Sequence, residues 1–167
     1  MNIRNTLASL ALLAAATQAP AALAQSANDT FDVTITITSA CSIDAETAGD
    51  IAFGSHPSTA TNIDSTGVLS ITCTPQTGYT VALGNGVNND GSGITGRRML
   101  NQAVAGTYVP YQLYNDAARE TPWGSSTGTV PGTGTGTPQT LTVYGRVPNA
   151  NFPAGSYLDT VTATVTY

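Results

Sequence analysis

An all-β, immunoglobulin-like sandwich that lacks one of its strands is the fold this sequence predicts, and three observations predict it. Apolar and polar residues alternate with period two through most of the chain, the mark of half-buried strands. Glycine, proline and asparagine cluster between those runs as turns. Two cysteines, Cys41 and Cys73, follow an export signal, so a small domain can be stapled. The missing strand is read from the two ends.

The first 24 residues read as a secretory signal peptide. Arg4 supplies a positive n-region, Leu7 to Ala16 an apolar h-region, and Ala22-Leu23-Ala24 the small residues of a cleavage site, predicting a mature start at Gln25. A membrane span needs about 20 apolar residues. Thr17, Gln18 and Pro20 cut this run short. Residues 25–40 are then a leader segment and residues 41–167 one domain with one core.

Within the leader, Phe31, Val33, Ile35 and Ile37 alternate with Asp32, Thr34, Thr36 and Thr38. Val68 to Cys73 and Tyr79 to Leu83 make two further strands, split by a turn at Pro75 to Gly78. Thr107 to Tyr114 and Leu141 to Val147 follow, with a turn expected near Asn115 to Glu120. The Gly, Thr and Ser-rich stretch from Gly124 to Pro138 is expected to be a mobile loop. The last run places Tyr157, Val161, Ala163, Val165 and Tyr167 on one face and Leu158, Thr160, Thr162, Thr164 and Thr166 on the other. Asp159 interrupts the first face. Abundant threonine suits strands over helices.

Composition excludes whole classes of function. Charged residues make up 9% of the chain, the net charge is −5 and lysine is absent. Phosphate neutralisation needs clustered cations, so nucleic acid is not a partner. In an oxidising compartment a lone cysteine pair most simply forms one disulfide, Cys41–Cys73, worth about 3–4 kcal/mol by chain entropy. A metal pair or a reactive thiol would need neighbours, and the one histidine, His56, belongs to no ligand spacing.

Catalytic constellations fail in turn. No serine sits in a G-x-S-x-G context. The loop around Asp90 breaks the calcium-loop pattern, with Gly86 and Arg97 at its first and last ligand positions. The run Gly132 to Gly136 has neither phosphate-cradling spacing. Asp116 and Glu120 are the one carboxylate pair to set against glycoside hydrolysis. No catalytic, cofactor-binding or metal residue is assigned, and no enzyme is expected.

The contrast between the ends carries the functional reading. The chain stops at Tyr167 inside a strand pattern, so a closing strand is expected to be missing. Such a sandwich exposes an edge and invites a strand from outside. Phe31, Val33, Ile35 and Ile37 could supply one, each burial worth roughly 1.5–3 kcal/mol. Head-to-tail donation propagates as a filament. Alternatively residues 31–38 are the first strand of their own domain, and periodicity does not separate the two.

Further segments carry a resemblance: Ile51-Ala52-Phe53-Gly54, Val68 to Cys73, Tyr111-Gln112-Leu113-Tyr114 with Asp116 to Arg119, Leu141 to Pro148, and Pro153 to Tyr167. With the alternating leader before Cys41, this order resembles the spore coat protein U domain family, which includes the archaic, Csu-type chaperone–usher pilins. The resemblance implies a fimbrial subunit that leaves through the periplasm for the cell surface, supporting adhesion and biofilm formation. It implies a periplasmic chaperone, an outer-membrane usher and homologous subunits as partners. Phe31, Val33, Ile35 and Ile37 become the donor strand, and Val161, Ala163, Val165 and Tyr167 the edge of the acceptor groove. Cys41–Cys73 becomes the family's disulfide, and one domain implies a shaft or adaptor subunit. The competing expectation is a monomeric secreted coat or carbohydrate-binding module, with Trp123 and Tyr108 lining a sugar site.

Overall fold

The structure is a computed structural model that describes residues 24–45 and 50–167. The signal-peptide expectation falls, apart from Ala24, outside the described residues. Ten antiparallel strands make an immunoglobulin-like β-sandwich: β1 Cys41–Asp44, β2 Thr61–Cys73, β3 Gly78–Leu83, β4 Arg98–Asn101, β5 Tyr108–Pro110, β6 Gln112–Tyr114, β7 Val130–Thr133, β8 Gln139–Asn149, β9 Tyr157–Leu158 and β10 Ala163–Thr166. They form three sheets, in the orders β1-β2-β8-β6, β10-β3-β7 and β5-β4-β9. The described residues hold one 3₁₀ turn, Gly93–Gly96, and no α-helix.

The period-two pattern sets which side chains go inward. In β2 the odd positions Ile63, Leu69, Ile71 and Cys73 are buried, and β8 does the same with Val143 and Val147. The register Leu69↔Leu141 and Ile63↔Val147 keeps both odd sets on one face. From the other sheets Tyr79, Val81, Leu83 and Val109 join the same core, with Trp123 at its centre.

Three expectations change. Residues 24–40 form no strand and are exposed throughout, so the alternation at Phe31 to Thr38 finds no ladder. A strand needs a neighbour to hold its backbone groups. Thr107 to Tyr114 divides into β5 and β6, which belong to different sheets. Pro110 ends the first and offers no N–H for a continuous ladder.

The expected mobile loop from Gly124 to Pro138 instead contains β7, paired to β3 from Gly78↔Thr133 to Val81↔Val130. Its glycines serve close approach rather than freedom. A Cβ on Gly132 would collide with the Tyr79 ring, and one on Gly134 with the Thr74 carbonyl. The turn expected near Asn115 to Glu120 is present, stapled by Asp116, whose carboxylate accepts the Glu120 and Thr121 N–H groups at 3.1 and 2.7 Å. That contact gives Asp116 a structural role in the turn.

Candidate functional site: the seam between the first and last strands

Two edges of the sandwich face each other without sharing a ladder. β1 forms the margin of one sheet and β10 the margin of another, and they come within 8 Å at their Cα atoms. Among the described residues nothing pairs with the outer side of either. Their phases match. On the first rail Cys41, Ile43, Ile51 and Phe53 are half-buried against the core; on the second, Tyr157, Val161, Ala163 and Val165 are. The intervening residues point to solvent. An apolar row thus lies open on both sides of the seam.

Backbone groups follow the same phase. The Gly84 N–H donates to the Thr162 carbonyl at 2.8 Å, so Thr162, Thr164 and Thr166 face β3 while Ala163 and Val165 turn theirs to the seam. On the first rail the Thr74 N–H donates to the Ala40 carbonyl at 2.9 Å, committing Ala40 and Ser42 to β2 and freeing Cys41 and Ile43. Both rails therefore present alternate N–H and C=O groups to the gap. The Cys41–Cys73 disulfide, between directly opposed residues, ties the first rail to β2.

At one end the seam widens into an open cleft of about 780 Å³. Its floor is Ile63, Met99, Val109 and Val147, and its walls are the segments around Phe53 and Tyr157. His56 borders this cleft, its Nε2 2.7 Å from the Phe53 carbonyl, where it fastens a turn.

Asp159 explains the break in the last strand. The chain passes there from the sheet of β4 to the sheet of β3, and the carboxylate pins the crossing. It accepts the Tyr111 hydroxyl at 2.6 Å and both the backbone N–H and the side-chain amide of Asn88 at 3.0 Å. Burial, then the Asp159 carboxylate, pushes the Tyr111 phenol far above its ordinary pKa. Nearby Arg97 is fully buried. Its guanidinium donates to the carbonyls of Leu83, Gly84 and Trp123 and to Gln112 Oε1, between 2.6 and 3.3 Å. Burial lowers its pKa, and the neighbouring Tyr111 and Asp159 oppose that. Sequence reasoning missed Arg97, since Arg97-Arg98 looks like any exposed basic pair.

The other edges are closed. β7 carries Pro131, β5 ends in Pro110, β9 is two residues long, and β6 is capped where Trp123 N–H reaches the Leu113 carbonyl at 2.9 Å. Proline, shortness and cover each discourage sideways pairing.

Of the residues singled out in the sequence, Phe31, Val33 and Ile35 are about 85% exposed and Ile37 76%. Tyr167 is 58% exposed, beyond the end of β10. The aromatic pair offered as a sugar site does not form one. Trp123 is 1% exposed and its indole N–H donates to the Val81 carbonyl at 3.0 Å. Tyr108 has the Arg98 guanidinium 3.9 Å above its ring. A tryptophan in the core cannot stack on a ligand.

A family model described as Spore Coat Protein U domain matches residues 27–164. The chain is 36% identical over 140 residues to Protein U of Myxococcus xanthus, covering 77% of this chain and 78% of that one. Among solved structures it is similar to a chain of the CsuC–CsuE chaperone–tip adhesion subunit pre-assembly complex from the archaic chaperone–usher Csu pili of Acinetobacter baumannii. The TM-score is 0.59 at 22% identity, over 79% of this chain and 41% of that one. The chain thus spans about two fifths of that chain's length, and the likeness is one of fold.

Proposed function

Since the chain belongs to the Spore Coat Protein U domain family, we propose that it is a structural subunit of a surface pilus, assembled when the leader of one copy enters the seam of the next. The observation that carries this is the double rail: apolar side chains and unsatisfied backbone groups, in one phase, on both sides of a gap. Ladder hydrogen bonds on two sides would fix the incoming strand's direction, and Phe31, Val33, Ile35 and Ile37 would cover Val161, Ala163, Val165 and the facing residues of the first rail. Three strands side by side set their outer members about 9.6 Å apart. The rails approach more closely than that, so insertion must part them.

On this reading a periplasmic chaperone occupies the seam before assembly and an outer-membrane usher receives the subunit. Residues 1–24 direct export and are removed, and the filament serves attachment and biofilm formation. The similarity to a chaperone–subunit complex supports the chaperone step.

The test uses residues 25–167 with a synthetic peptide spanning Thr30 to Ser39. A peptide that binds the seam stabilises the fold by about 2.7 kcal/mol at 100 times its Kd. The same peptide with Asp in place of Ile35 should have no effect. Unfolding curves that coincide with and without the peptide would sink the donor reading.

A further inference from the structure

Resting on the reading that residues 1–24 are removed on export, we infer that Gln25 is a modification site. Its side chain closes on its own α-amine to a five-membered lactam, and the mature chain is left without a primary amine. The sequence contains no lysine. Once residues 1–24 are gone, the α-amino group of Gln25 is therefore the last amine the protein has.

Ring closure needs a glutamine at the amino end, a neutral amine and a side chain free to turn. In Gln25 the α-nitrogen and the side-chain carbonyl carbon belong to one residue, so they meet without loss of translational freedom. An α-amino group titrates near about 7.7–8.0, so roughly a tenth of it is neutral at pH 7. Residues 24–30 are exposed and belong to no strand. Among the described residues the hydrogen bond of that stretch is a local one, from the Thr30 N–H to Asp29 Oδ1 at 2.8 Å. Atoms balance without an oxidant. The α-nitrogen bonds to Cδ, the C–N bond of the side-chain amide breaks, and ammonia leaves with the proton that the amine gives up.

The fold shows why that one group matters. The four arginines that remain are all engaged internally. Arg97 is fully buried on its carbonyls. Arg98 donates to the Asn88 carbonyl at 2.7 Å and lies 3.9 Å above the Tyr108 ring. Arg119 donates to the Gly145 and Ala117 carbonyls at 3.2 and 3.1 Å, and Arg146 grips Asp64. Proteases that cut after a basic residue thus meet arginines held by the sandwich. The exposed end is the remaining weak point, because proteolysis concentrates at untied termini. A lactam there removes the free amine that an aminopeptidase grips.

The experiment takes the full chain as its host exports it. The intact mass of the reduced protein should equal residues 25–167 less one ammonia, and an amine-reactive label should add nothing. Chymotrypsin should release the peptide Gln25 to Phe31 with the loss on it, since Phe31 is 86% exposed. Pyroglutamyl aminopeptidase should then uncover Ser26 and restore one labelling site per chain. Exported Gln25→Ala protein should take one label per chain; if it takes none, the amine is blocked in another way and the inference falls. A chain that begins at Gln25 with its full mass and takes one label overturns the inference while leaving removal of residues 1–24 intact. So does an ammonia loss that maps to Asn85-Gly86 instead of Gln25. A mass that begins at any other residue removes the cleavage reading, and this inference with it.

Discussion

Arg97 shows how one side chain can govern a core without any sign in the sequence. Four acceptors from three parts of the chain depend on its guanidinium. Arg97→Met strands them in the interior and should destabilise the fold in urea unfolding, at about 1–3 kcal/mol for each acceptor left without a partner. Arg97→Lys should recover little of that, because an ammonium cannot reproduce the planar fork. Nothing in the local pattern distinguishes Arg97 from Arg98; the difference arises only when residues 83, 112 and 123 converge on one of them. Asp64 behaves oppositely, at the surface. A two-pronged hydrogen bond from Arg146 at 2.7 and 2.9 Å, with Arg119 beside it, holds its carboxyl below the ordinary value. A depressed folded pKa contributes stability that is complete above the unfolded value of about 3.9 and is lost as pH falls through the folded one. Asp64→Asn should therefore flatten the acid limb of stability against pH. At neutral pH, with the Asp64 side chain 36% exposed, the change should stay below about 1 kcal/mol.

At the level of elements, strand phase makes a sharp contrast available on β10. The N–H of Ala163 points to the seam and that of Thr164 to β3. Ala163→Pro should abolish binding of the Thr30 to Ser39 peptide while lowering stability less than Thr164→Pro, which removes a ladder bond. Calorimetric titration and urea unfolding on both variants check this. Gly132→Ala should cost about 1–3 kcal/mol through its clash with the Tyr79 ring. Period two was enough to find β3, the second half of β2, most of β8 and the alternation of the final run, which the structure divides into β9 and β10. It missed β7, since Val130-Pro131-Gly132-Thr133 has the composition of a loop and becomes a strand only by lying flat against Tyr79. It divided Thr107 to Tyr114 wrongly because a change of sheet at Pro110 leaves the alternation intact.

For the whole molecule, the partition into three sheets and the seam between β1 and β10 could not be read locally. Both depend on which strands become neighbours, and only the alternation of Tyr157 to Tyr167 hinted at an edge. If the leader fills that edge in the next copy, Ile35→Asp should leave the unfolding midpoint of dilute residues 25–167 unchanged, because Ile35 is exposed there. Unheated gel electrophoresis should then show the ladder of multimers collapse to a monomer band. The sealed margins at Pro131, Pro110 and the capped β6 have their own consequence. If the leader and the seam are its two joining parts, a polymer chemist would assign this monomer a functionality of two, with unlike reactive groups that combine with each other but not with themselves. Such monomers yield threads without branch points or cross-links, whose length depends on how often an end is capped.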